Sequence, residues 1–124
     1  MQKVSTLPVK SILGKFTYKI LGIPFVIYLV NKAGMKQLGS DAYAFVVKGP
    51  EPYAVFTEEH LEAVTVLHEV FHMFTYTTFC HAQDDLSAED MEEIAADLVA
   101  YRTQDMEKAA TEIKARLDKI KEKK

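Results

Sequence analysis

Only one cysteine, Cys80, occurs in the 124 residues, so no intrachain disulfide can staple the fold and a reducing compartment is the expected setting. Long apolar runs are missing as well. The most apolar stretch, Leu21 to Val30, is ten residues and carries Gly22 and Pro24. A membrane span needs about 20 apolar residues, so this stretch reads as a buried strand and no membrane partner is expected. The first residues lack the apolar core and small-residue cleavage site of a secretory signal. These absences together place the chain in the cytoplasm, whether of a cell or of an infected host. A surplus of one charge is also absent: 15 basic and 18 acidic side chains leave a net −3, which gives no global field favouring nucleic acid. Lys114, Lys119, Lys121, Lys123 and Lys124 gather near the C-terminus, but Glu112, Asp118 and Glu122 are interleaved with them, as on a solvated helix end.

What is present fits one soluble globular domain over residues 1–124: 48% hydrophobic and 27% charged residues, with no internal repeat or low-complexity block. Val9, Ile12, Leu13, Phe16, Ile20 and Leu21 recur at helical spacing between Pro8 and Gly22, which predicts an amphipathic helix over 8–21. Phe16 to Ile20 also alternates as a strand would. Three β-like runs follow, at Phe25–Val30, Ala42–Lys48 and Tyr53–Phe56, the last two reading as a hairpin around Gly49-Pro50-Glu51-Pro52. Thr57, with Glu58 and Glu59 after it, suits the start of a helix that reaches about Phe79. Ser87 and Asp90 form a capping-box pattern opening a third helix, with Met91, Ile94, Leu98 and Tyr101 on one side. That helix either breaks near Gln104 or runs on into an amphipathic tail over 106–124 marked by Met106, Ile113, Leu117 and Ile120. The expected class is α+β, with an N-terminal helix, a small three-stranded sheet and two following helices.

The chemistry is concentrated in His68-Glu69-Val70-Phe71-His72. The helix from Leu61 to Phe79 is almost wholly apolar or hydroxylic and is expected to be buried nearly all round, yet three ionisable groups fall within five residues at its centre. Burying them without partners is costly, and a divalent metal would offset that cost. His68 and His72 lie about 40° apart around a helix and one turn along it, so two imidazoles converge while Glu69 projects to the side as a general base. A catalytic zinc needs a third protein ligand and one open position. Positions Glu93, Ala96, Asp97 and Ala100 form a stripe whose small residues allow close approach. Glu93 there would be the third ligand, with Glu92 a weaker alternative, and Asp97 would accept the free ring N–H of a ligand histidine. The same acids also suit the solvated first turn of a helix.

His68-Glu69-Val70-Phe71-His72 followed by Glu93-Ile94-Ala95-Ala96-Asp97 resembles the gluzincin signature, H-E-x-x-H with a downstream E-x-x-x-D, over roughly residues 53–101. The short chain with strands before the motif is most similar to the compact members, the minigluzincins and the ImmA/IrrE-type peptidases, some of them phage-encoded. The resemblance implies a zinc metallopeptidase with one Zn2+ per chain on His68, His72 and Glu93, Glu69 as base and Asp97 orienting a histidine. It also implies a protein or peptide substrate. Tyr76, His81 and Tyr101 are the candidates for the oxyanion partner, with no spacing rule to choose among them. Cys80 beside His81 reads as an incidental thiol, because adjacent residues seldom face each other productively. The reading from a different class is a metallopeptidase-like binding module whose metal site is structural or vestigial and whose helices 8–21 and 106–121 dock a partner.

Overall fold

A computed structural model describes residues 4–39, 43–79 and 87–123. Its N-terminal part departs from the expected helix. Val4–Thr6 and Val9–Ser11 are single 3-10 turns, and Ile12–Ile20 is a strand, β1. Phe16, Tyr18 and Ile20 point inward while Lys15, Thr17 and Lys19 are exposed. That period-two alternation prevails over the helical spacing because it buries one face against the rest of the fold. β1 pairs antiparallel with β2 (Ile23–Val30), with Lys15 opposite Tyr28 and Ile20 opposite Ile23.

The turn between them is Leu21-Gly22, with φ of 49° and 87°. Two positive φ values make the tight hairpin turn whose twist matches its strands, usually written Asn-Gly. Leucine in the first position conceals that turn in the sequence and costs roughly 1–2 kcal/mol in the left-handed region. Leu21→Asn is therefore expected to raise stability by about 1 kcal/mol. A thermal melt of the purified variant would read this as an upward shift of a few degrees.

β3 (Ala44–Val47) and β4 (Tyr53–Thr57) form the expected antiparallel hairpin, with Val47 opposite Tyr53. β4 also pairs parallel with β2, Val26 opposite Tyr53. The sheet thus has four strands rather than three, in the order β1-β2-β4-β3, with β1 and β3 at its edges. Between β2 and β3 lies a short helix, α1 (Lys32–Gln37), capped by the Asn31 side chain accepting from the Gly34 N–H at 2.8 Å.

Thr57 does not cap a long helix. It ends β4, its hydroxyl is buried with no hydrogen-bond partner among the described residues, and Glu58–His60 makes only a 3-10 turn. The second helix, α2, starts later and spans Ala63–Phe79. It is not buried all round. Val66, Glu69, Val70, Met73 and Phe74 face inward, whereas Val64 is 73% exposed and Leu67 38%. The third helix, α3 (Ala88–Glu122), opens with the expected capping box: Asp90 N–H donates to Ser87 Oγ at 3.1 Å and Ser87 N–H to Asp90 Oδ2 at 3.4 Å. It runs without a break at Gln104, for about 52 Å.

One face of the sheet, hereafter the front, meets both long helices. Ile20, Phe25, Ile27, Leu29, Ala54 and Phe56 pack there against Val66, Val70, Met73 and Phe74 of α2 and Ile94, Leu98, Met106, Ile113 and Leu117 of α3. The apolar side of residues 106–122 therefore covers this chain's own sheet. At that joint the Arg116 guanidinium sits 4.0 Å from the centroid of the Phe16 ring, and the Tyr18 hydroxyl donates to Glu112. Burial, that hydrogen bond and the neighbouring carboxylate push the Tyr18 phenol up to about 12. Gly14 fits beneath Ile120 so closely that a Cβ there would stand 2.7 Å from Ile120 Cγ2. A smaller cluster on the back face joins Val4, Leu7, Val30, Met35, Leu38 and Val55.

Candidate functional site

On α2 the residues at i, i+4 and i+8 from His68 are His72 and Tyr76, one gently winding stripe at 100° per residue. This stripe lies beside the edge strand β3. Tyr43, Ala44, Val64, Thr65, His68 and Glu69 line an open groove of about 430 Å³ at its near end. At its far end the Tyr76 hydroxyl donates to the Gly49 carbonyl at 2.9 Å and accepts from the Gly49 N–H at 3.3 Å. Tyr76 thus clasps the end of β3 to the helix. Tyr76→Phe is expected to lower stability by about 1 kcal/mol, the ordinary worth of such a bond, seen as a lower denaturant midpoint at unchanged m.

The two imidazoles converge. His68 Nε2 and His72 Nε2 are 3.2 Å apart, with ring centroids 4.8 Å apart and planes at 76°. Two nitrogens bonded at about 2.0–2.1 Å to one tetrahedral zinc stand roughly 3.3 Å from each other. The pair therefore already has the spacing of two ligands on one ion. Both rings remain open to solvent, the His68 side chain being 67% exposed.

Glu69 is buried, at 6% exposure, with its Oε2 3.9 Å from His68 Nε2. Burial pushes its carboxyl up from the ordinary value, and the neighbouring His68 opposes that shift. Burial pulls the His72 imidazole down, reinforced by His68 and then by Lys48. A carboxylate of raised basicity beside an imidazole that is pulled down suits the work of a metal-assisted base.

The second half of the expected constellation is not brought here. α3 packs antiparallel to α2: Ala63 and Leu67 share a groove with Glu107, Lys114 and Asp118, while Thr78 shares one with Ile94, Asp97 and Arg102. The level of His68 and His72 on α3 is then near residues 105–109, which puts Glu93 about 20 Å away along the axis. α3 also lies against the Leu67 flank of α2, the side turned away from β3. Glu93 and Asp97 are both exposed, Asp97 at the rim of the Leu21–Tyr101 groove. Glu92 is exposed on the same turn as Glu93. Among the described residues, no third histidine, cysteine, aspartate or glutamate joins the pair in a group able to hold a metal.

Of the three oxyanion candidates, Tyr76 is engaged by Gly49. Tyr101 is 78% exposed in the other groove. His81 lies outside the described residues, as does Cys80. Two groups at the site escaped the sequence reading. Lys48, just past β3, supplies a cation whose field reaches His72. Tyr43 stacks on His60 with centroids 3.7 Å apart and planes within 12°, forming a wall of the groove. Their only sequence signal is position on a strand that turns out to border the motif helix.

Comparison with protein-family models, with curated proteins and with solved structures found no match to this chain.

Proposed function

We propose that this chain is a zinc-dependent peptidase in which His68 and His72 supply two metal ligands and Glu69 is the general base. The observation that carries the reading is the 3.2 Å convergence of His68 Nε2 and His72 Nε2 with the buried Glu69 carboxyl alongside. The resemblance adds Glu93 as third ligand and Asp97 behind it. The packing of α3 speaks against both, so that part of the assignment is kept apart in the tests.

The groove and the strand next to it suit an extended peptide. β3 is an edge strand with one side unpaired, and a peptide laid along it would make main-chain hydrogen bonds while its side chains entered the groove. A peptide carbonyl placed there lies beside Glu69 and the two imidazoles. Zinc, when bound, supplies the Lewis acidity that polarises that carbonyl and acidifies the attacking water. Glu69 takes a proton from the water as its oxygen bonds to the carbonyl carbon. It then returns that proton to the amide nitrogen as the C–N bond breaks. Lys48 adds positive charge close to where the carbonyl oxygen turns anionic.

The test is metal content measured together with turnover. Purified protein is expected to hold zinc near one per chain and to cleave members of a peptide panel in a zinc-dependent way. Zinc without turnover on any peptide would leave a metal-binding module instead. Failure to take up zinc after metal-free handling and re-addition would end both readings.

A further inference from the structure

The whole-chain balance of −3 conceals two halves of opposite sign. Residues 1–57 carry seven lysines against Asp41 and Glu51, whereas residues 58–124 carry eight basic groups against sixteen acids. The fold separates these halves into layers, because the long helices cover the front of the sheet and leave the back to the basic half.

Strand register fixes what the back face presents. Lys15 is opposite Tyr28, Thr17 opposite Val26 and Lys19 opposite Pro24, and Val26 is opposite Tyr53 on the next strand. Residues opposite one another share a face, so Lys15, Lys19, Tyr28 and Tyr53 look the same way. Tyr28 and Tyr53 sit on the two central strands, half-buried, with ring centroids 5.8 Å apart and planes at 88°. They line an open groove of about 630 Å³ with Val4, Ser5, Val26 and Lys48, and among the described residues Glu51 is the one carboxylate on its rim. Lys15 and Lys19 are exposed and, among the described residues, form no ion pair. Val4 and Ser5 of the first 3-10 turn border this groove, α1 and Leu7 pack farther along over Val30 and Val55, and Lys15, Thr17 and Lys19 are left exposed.

We propose that the open back face, where Lys15, Lys19 and Lys48 surround Tyr28 and Tyr53, binds single-stranded nucleic acid. Charge complementarity selects a polyanion, and aromatic rings among unpaired lysines select one with flat bases to stack. A duplex presents phosphates but buries its bases, and an anionic lipid surface has none. The acidic helices on the opposite side orient the strand by repelling it from that side. Lys48, just past the edge strand β3, lines this groove while its field also reaches His72. Lys15, Lys19, Tyr28 and Tyr53 lie on the other face of the sheet from the core that carries α2, so the site does not depend on the peptidase reading.

Fluorescence anisotropy of a labelled oligothymidylate titrated with the whole chain tests it. Binding is expected in the range of about 1–100 µM. With three lysines on phosphates, affinity should fall on the order of tenfold to twentyfold between 50 and 200 mM salt. The double variant Lys15→Glu, Lys19→Glu is expected to lose at least tenfold. Tyr53→Leu, which keeps apolar bulk, should lose roughly fivefold or more at any salt concentration. Lys119→Glu with Lys121→Glu, on α3, should bind like the unaltered protein. The proposal is overturned if no anisotropy change occurs, if the Lys15/Lys19 variant binds normally, or if duplex binds as well as single strand with Tyr53→Leu silent. A salt-sensitive dimer that disappears in the Lys15/Lys19 variant would overturn it too, assigning the face to the acidic helices of a second copy.

Discussion

Replacing Glu69 by glutamine is expected to lower peptide turnover by about 10²–10⁴-fold, the usual worth of a positioned general base, while bound zinc stays near its original stoichiometry. Glutamine keeps the shape of the side chain and its packing under β3 but cannot take a proton from water. The same variant should be at least as stable as its parent. Glu69 is buried and its carboxyl is pushed up, so its ionised form opposes folding. A group whose folded pKa is raised contributes stability that is fully present below the ordinary value and is lost as pH rises through the folded value. In metal-free protein the stability advantage of Glu69→Gln should therefore be absent in acid and grow towards neutral pH, as followed by denaturant melts across that range. Turnover that survives Glu69→Gln within tenfold would remove Glu69 from the chemistry. Loss of activity accompanied by a large fall in stability would make it a structural residue instead.

The second large effect concerns the metal. Zinc at about a hundred times its dissociation constant should stabilise the folded chain by about 2.7 kcal/mol, because a preformed pair of imidazoles does not exist in the unfolded chain. For a domain of this size that is on the order of 10 °C in Tm. His72→Ala is expected to abolish the response while scarcely altering the metal-free melt, since the imidazole is exposed and contributes little to the core. A zinc-induced shift that persists in both His72→Ala and His68→Ala would place the metal elsewhere. Glu93→Gln separates geometry from resemblance. With Glu93 about 20 Å along α3 from the histidines, its removal should leave zinc affinity untouched. A loss of affinity comparable to that of His72→Ala would show that α3 repositions to bring Glu93 in when metal binds.

How much of this was legible beforehand varies by element. The Ser87–Asp90 capping box was readable because its two hydrogen bonds are local, spanning three residues. The β3–β4 hairpin was readable from its turn residues. β1 was readable only as the alternating alternative over Phe16–Ile20, because Leu21 occupies a position normally announced by asparagine, and because Val9, Ile12 and Leu13 extended a helical spacing across a strand. The fourth strand was missed along with it. Glu69 and the histidine pair depend only on i, i+1 and i+4 geometry within one helix, so their mutual placement followed from spacing. Glu93 depends on how two helices pass one another, which sequence spacing does not encode. The depth of burial was overstated for the same reason: an all-apolar helix still leaves Val64 and Leu67 open when only one sheet face and one helix are available to cover it. The charge layering was hidden by summing over the chain, and it appears only when strands and helices are assigned to separate layers.

The seating of Ile120 on Gly14 bears on how the protein is made. β1 is covered by a helical turn synthesised more than a hundred residues after Gly14. Until that turn leaves the exit tunnel, Phe16 and Tyr18 lack their partners Arg116 and Glu112, and the front of β1 stays partly uncovered. The front of the sheet, on which α2 packs, is therefore fully covered only after synthesis has passed Ile120. For the proposed peptidase, that order of synthesis delays full packing of the fold beyond the emergence of the site's own residues.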